Sequence, residues 1–180
     1  MIRRFAALAA VCASSLFAAF VLREEAPPLP HPHFPKTLTC RISKDQTIAI
    51  GYQTVTFDKD GAAKMKAGAA WHLAGATFET SVDLTIGGEQ VEAGKYALSA
   101  RKAEKGWQLT LHEGPGFSRP EGDDVHVLAT TFAGDSLLFE HLNIDVQPGG
   151  DKEHTELFLD VRFDTMLARV KIVLPQADQK

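Results

Sequence analysis

Residues 85–100 read TIGGEQVEAGKYALSA and set three glycines between two runs of strand character. A phosphate cradle needs a helix after its glycines, because the free N–H groups of the helix start hold the anion. Here Lys95-Tyr96-Ala97-Leu98 follows, which reads as a strand, and Glu89 and Glu92 would repel an anion. Gly87-Gly88 therefore reads as a tight turn, in which two glycines supply positive φ. Gly94 opens the strand after it. The glycines are there for backbone conformation, and the stretch belongs to a hairpin.

Alternation around this turn extends the reading. In residues 77–86 the even positions are Phe78, Thr80, Val82, Leu84 and Ile86, and the odd ones are polar. Successive strand side chains point to opposite faces, so one face is apolar and the other wet. Tyr96, Leu98 and Ala100 share a face, opposed by Lys95, Ser99 and Arg101. Trp107, Leu109 and Leu111 alternate with Gln108, Thr110 and His112. Leu142, Ile144 and Val146 repeat the pattern, as do Leu157, Leu159, Val161 and Phe163 against Glu156, Asp160, Arg162 and Asp164. Val170, Ile172 and Leu174 close the domain, while Ile48, Ile50 and Tyr52 shift phase to Val55 and Phe57, as across a bulge. About nine strands are expected by this reading, with Ala62 to Trp71 the one helical candidate. The fold class is all-β, an antiparallel β-sandwich over residues 37–175, followed by a tail at 176–180. Its core should hold Val82, Leu84, Tyr96, Leu98, Leu109, Leu111, Leu159 and Val161.

The stretch FETSVDLTIGGEQVEAGKYALSARKAEKGWQLTLHEG, residues 78–114, resembles the strand, glycine turn, Ala-Gly-x-Tyr-x-Leu and Trp-x-Leu pattern of the bacterial domain-of-unknown-function family 2911. HLNIDV and TELFLDVRFDTMLARVKI are similar to the closing strands of that family, more loosely. The resemblance implies an exported β-sandwich and carries no established activity. Relatives usually have a polar segment, W-R-x-G-A-N-E-A-T, before this strand. Trp71 to Thr77, WHLAGAT, is shorter, has His72 in place of the arginine and lacks the Asn-Glu pair. If those polar groups form a site in relatives, the resemblance implies that it is lost or altered here.

Arg3 and Arg4 precede an uncharged apolar run from Phe5 to Leu22. This is the charged and apolar pattern of an export signal, so residues 1–22 read as a signal peptide or signal anchor forming a hydrophobic leader helix. No small-x-small pair closes the run, and its length also reaches the lower limit for a membrane span. Residues 5–22 thus offer a membrane tether if the leader is not cleaved. Cys12 raises lipid attachment as a third route. All three place the domain outside the cytoplasm, whether periplasmic, secreted or membrane-anchored. Residues 23–36, REEAPPLPHPHFPK, hold five prolines and read as an extended linker.

Charge removes one class of partner. Taking Arg3 and Arg4 from the 19 basic residues leaves 17 against 23 acids, a net charge of −6. No basic stripe is visible either, so nucleic acid is not an expected partner. Cys40 is the single cysteine beyond the leader, which excludes an internal disulfide. It reads as a small buried apolar residue.

Chemistry-bearing residues are sparse. There is no nucleophile elbow, no HExxH and no paired-cysteine spacing, and no motif requires a cofactor or metal. His31-Pro32-His33 lies in the proline segment and reads as solvated linker ahead of a metal clip. Strand parity puts His112, His141 and His154 on polar faces, where they are expected to be exposed. The segment 113–124, EGPGFSRPEGDD, is the longest loop inside the domain and lacks the ligand spacing of a calcium loop. A binding site is expected where aromatic, imidazole and carboxylate groups fall outside regular strands. Those residues are Trp71, His72, His112, Asp123 and Asp124. The leading functional expectation is a non-enzymatic binding or cell-envelope interaction module. The alternatives are a hydrolase-type site near Trp71-His72 and a metal-binding module using the histidines.

Overall fold

The computed structural model describes residues 33–117, 125–151 and 155–175. The leader, and with it Asp123, Asp124, His31 and His154, lies outside the described residues. Residues His31–Lys180 form one compact unit.

The chain runs through β1 (Pro35–Arg41), β2 (Thr47–Gln53), α1 (Lys59–Lys64), β3 (Ala70–Trp71) and β4 (Thr77–Thr80). It continues through β5 (Leu84–Ile86), β6 (Glu89–Val91), β7 (Gly94–Lys102) and β8 (Trp107–Glu113). β9 (Val125–Val127), β10 (Thr130–Pro148) and β11 (Glu156–Val173) complete it. One sheet of seven strands has the order β1-β2-β4-β7-β8-β9, with β3 also paired to β7; the other, of four, has the order β10-β11-β5-β6. All the strand pairs are antiparallel. Their facing sides share one core, in which Ile48, Phe78, Leu98 and Leu111 of the first sheet meet Leu159, Val161 and Ile172 of the second. This is the expected all-β antiparallel sandwich, with eleven strands among the described residues where about nine were expected. β3, β6 and β9 have two or three residues each, too few for an alternation to register.

The opening stretch folds as read. Gly87 and Gly88 have φ of 58° and 89°, and they join β5 to β6. Two consecutive positive φ values match the right-handed twist of the flanking strands. Gly87 has a second constraint: a Cβ there would lie 2.7 Å from Leu128 Cβ and from the amide of Ala129. That amide donates to the Gly87 carbonyl at 2.8 Å, so the turn is tied to the connection between the sheets.

The single strand expected over 77–86 is two. β4 ends at Thr80 and β5 begins at Leu84 in the other sheet. The crossing is held by side-chain bonds to backbone: Thr80 Oγ1 donates to the Val82 carbonyl at 2.7 Å, and Asp83 Oδ1 accepts from Ala93 N at 2.8 Å. Val82 sits in this crossing and is half-buried, not core; the other seven expected core residues are buried. Parity runs unbroken through the crossing, so alternation alone could not reveal it.

Other differences have similar causes. The helix is Lys59–Lys64, not Ala62 to Trp71, because Asp58 caps it by accepting from Gly61 N at 2.9 Å. β1 starts at Pro35, inside the segment read as linker; it is an edge strand, where a missing N–H is tolerated. Ser99 and Thr110, read as wet, are fully buried, and Tyr96 to Ala100 are buried on both faces of β7. Asp160 was also read as wet, yet it is fully buried. Arg169 grips it through two bonds of 2.6 and 2.7 Å, and Arg162 adds a third at 2.7 Å. Arg169 is nine positions beyond Asp160 in the same strand, so β11 must bend between them. Asp164 has φ of 52° at that place, and β10 departs from regular register opposite it. The apolar parity switches across the bend, from Leu159, Val161 and Phe163 to Ala168, Val170 and Ile172.

Candidate functional site

β3 is only two residues long, but its pairing fixes Trp71. Trp71 lies opposite Ala100 of β7, and Ala100 lies opposite Leu109 of β8, so Trp71 shares the core-facing side. There it meets Trp107 of β8 at 5.9 Å between ring centroids and Phe163 of β11 at 4.9 Å. Phe57, from the segment between β2 and α1, closes the group at 5.6 Å from Trp71 and 4.9 Å from Phe163. The bend in β11 brings Phe163 beneath the other three rings. Trp107 and Phe163 are buried, whereas Phe57 and Trp71 are half-buried and reach the surface.

α1 stands beside these rings and leaves a hollow of about 310 Å³. Phe57, Trp71 and Trp107 give aromatic walls; Gly61, Ala62 and Met65 give the helix side. Asp58 and Thr56 are its polar groups. Lys102 Nζ lies 4.8 Å from the centroid of the Trp107 ring. Two further hollows adjoin, of about 270 and 530 Å³, running along residues 138–143 of β10 toward Phe34 and Lys36. Lys59 Nζ and Asp164 Oδ1 lie 2.8 Å apart in the nearer one, a close pair of charges without hydrogen-bond geometry.

The residues singled out from sequence have different fates. Trp71 lines the first hollow. His72, next in the chain, lies just beyond β3; its Nδ1 is buried and has no hydrogen-bond partner. His112 is 4% exposed, which corrects the expectation that it is solvent-facing. It lies on the side of β8 opposite Leu109 and Leu111, two residues from Thr110, and Thr110 pairs with Ser99. The segment Trp71 to Thr77 and the first residues of the 113–124 loop do meet. There is no space for a Cβ on Gly116 against the Gly75 carbonyl, and the Phe117 ring covers Gly75.

Among the described residues the histidines do not form one group. His33 and His141 rings are 6.1 Å apart at the β10 groove, and His126 lies 3.9 Å from Glu89 beside Tyr96. Among the described residues no set of three or more His, Cys, Asp or Glu side chains is placed to hold a metal. Cys40 is half-buried against the core, and burial, followed by the charge of Asp145, raises its thiol pKa. A raised pKa keeps it as thiol and disfavours nucleophilic use.

Sequence reading missed Phe57, Asp58 and Met65. A signal existed: an apolar residue before a capping Asp, with Ala62 four residues beyond the cap, is the pattern by which a helix start is pinned to its neighbour. Both Phe57 and Ala62 line the hollow.

The fold and the hollow define a two-sheet antiparallel β domain with a surface aromatic cleft at one helix. The chain belongs to the family described as "Protein of unknown function (DUF2911)", whose profile matches residues 35–172. No curated protein and no solved structure gives a significant match.

Proposed function

We propose that this protein is an exported, non-enzymatic binding module that takes a small ligand into the hollow walled by Phe57, Trp71 and Trp107. The observation that carries the reading is Trp71 itself. It is a large aromatic side chain left half-buried at the mouth of a hollow of about 310 Å³ beside one carboxylate. Mostly apolar walls with a few placed polar groups are what small-molecule clefts use. The rings are held by the core behind them, so little ordering would accompany binding.

Export rests on Arg3, Arg4 and the apolar run to Leu22, which lie outside the described residues; among those described, no helix is long and apolar enough to cross a membrane. Among the described residues no cluster favours the metal-binding alternative, and the hydrolase alternative gains no paired nucleophile and base. The buried His72 Nδ1 and Ser99 Oγ each lack a hydrogen-bond partner, so they do not form an activated pair.

A fluorescence titration tests the proposal, because both tryptophans of the chain line the hollow. A fragment panel should contain compounds that shift or quench the emission saturably, and Trp71→Ala should abolish that response while the far-UV circular dichroism stays that of the wild type. A response that survives in Trp71→Ala places the ligand elsewhere.

A further inference from the structure

We infer that the ligand of this hollow is a small alkylated ammonium ion, the chemical class of quaternary amine head groups; the inference rests on the reading of the hollow as a binding site. Its walls are inclined aromatic rings. Phe57 and Trp71 meet at 52°, and Trp71 and Trp107 at 63°, so they cannot stack flat on one another. Aromatic faces are negative, and a cation set against several of them is attracted without any hydrogen bond.

Charge in the lining points the same way. Among the described residues that line the hollow, Asp58 alone is charged, and it is negative. Its position is fixed by the bond it accepts from Gly61 N at 2.9 Å. Lys59, next in the chain, is turned to Asp164 at 2.8 Å. Lys102 already lies 4.8 Å from the Trp107 ring centre, which shows a cation resting on this aromatic group. It also occupies part of Trp107, so Trp71 and Phe57 carry most of the recognition.

The degree of alkylation follows from the acceptors. A primary ammonium brings three N–H donors that need acceptors when they leave water. The side-chain acceptors here are the Thr56 hydroxyl and the Asp58 carboxylate, whose Oδ1 already accepts from Gly61 N; the remaining side chains are Val55, Phe57, Ala62, Met65, Trp71 and Trp107. A quaternary nitrogen has no donor to satisfy, and its methyl groups pack on apolar walls. Met65 adds a soft, adaptable side chain against such a surface.

The test uses the full chain in a maltoside detergent, which has no ammonium group, and calorimetric titration with choline and with 3,3-dimethyl-1-butanol. The second probe replaces the charged nitrogen of the first by carbon at nearly the same shape. Choline should bind at least tenfold more tightly than the neutral probe to the wild type. Asp58→Asn keeps a capping side chain; it should weaken choline about tenfold and leave the neutral probe unchanged. Equal affinity for the two probes in the wild type would overturn the cation inference while leaving the hollow a binding site for apolar ligands. Heat from neither probe would overturn both. The comparison between probes needs no variant, so it stands if Asp58→Asn fails to fold.

Discussion

Replacing Asp160 by Asn should destabilise the domain by about 2–4 kcal/mol. The carboxylate is fully buried and takes three bonds, of 2.6, 2.7 and 2.7 Å, from Arg169 and Arg162. Removing one partner of a buried ion pair costs about 3–5 kcal/mol, since the other charge is left without compensation. The Arg169 side chain is 36% exposed and can turn its charge toward water, which lowers that figure. The Arg162 side chain, 15% exposed, keeps Asp135 at 3.4 Å and retains part of its pairing. Asparagine preserves the shape, but its amide hydrogens would face guanidinium donors, so only its carbonyl oxygen accepts, through one or two bonds that lack the carboxylate's charge. At about 3 °C per kcal/mol for a chain of this size, the melting temperature should fall by roughly 6–12 °C. Urea unfolding followed by circular dichroism measures the difference. Glu79→Gln supplies the contrast: its partner Lys95 is 4.0 Å away with both side chains exposed, and the expected change is under about 0.5 kcal/mol. An Asp160→Asn midpoint equal to that of the wild type would refute the idea that this cluster holds the bend in β11, and with it the account of how Phe163 reaches the aromatic group.

Five further outcomes are expected. Leu98→Ala, which empties a fully buried site in the central strand β7, should cost about 2–5 kcal/mol in the same assay, and a cost near zero would place Leu98 on the wrong face. Gly87→Ala should lower the melting temperature more than Gly88→Ala, because both have positive φ but only Gly87 has backbone and side chain within 2.8 Å of a new Cβ; equal losses would reduce the turn to a matter of φ alone. Asp151 has its carboxyl pKa lowered from 3.8: burial raises it, but bonds from Thr155 and Glu156 outweigh that. A depressed folded value means stability that is present above 3.8 and lost as pH falls through the folded value, so Asp151→Asn should flatten the acid end of the stability curve, and an unchanged acid limb would show that these bonds do not differ from those of the unfolded chain. Deleting residues 1–30 should leave a soluble folded domain, as the compact unit starts at His31, and the intact leader should carry the domain across the inner membrane in a fractionation experiment; an unfolded deletion product or a cytoplasmic full-length protein would contradict these two expectations respectively.

The sheet was legible because alternation is a local signal. It located β7, β8 and the halves of β11, and the glycine pair gave the β5–β6 turn. What alternation cannot show is which sheet a strand joins. The crossing at Ser81 to Asp83 keeps the parity of its neighbours, so one strand was read where there are two. Nor can it show what covers the second face: Ser99, Thr110 and His112 have the polar type of a wet face and are buried all the same. The Asp160 cluster depends on a bend at Asp164, a non-glycine residue with positive φ, and no residue type announces that. The site was half legible. Trp71 stood out as an aromatic outside a clear strand, but Phe57, Trp107 and Phe163 come to it from three other parts of the chain, and only long-range pairing sets that meeting.

The central claim is that the Phe57–Trp71–Trp107 hollow is where this protein binds. Two-dimensional NMR of the labelled protein, recorded during addition of choline, tests it directly, because the indole N–H signals of Trp71 and Trp107 report from inside the hollow. The account predicts that these two signals, with the amides of Asp58 to Met65, move first and most, and saturate together. Unmoved indole signals, or saturable shifts gathered instead around Phe34 and residues 138–143, would contradict it.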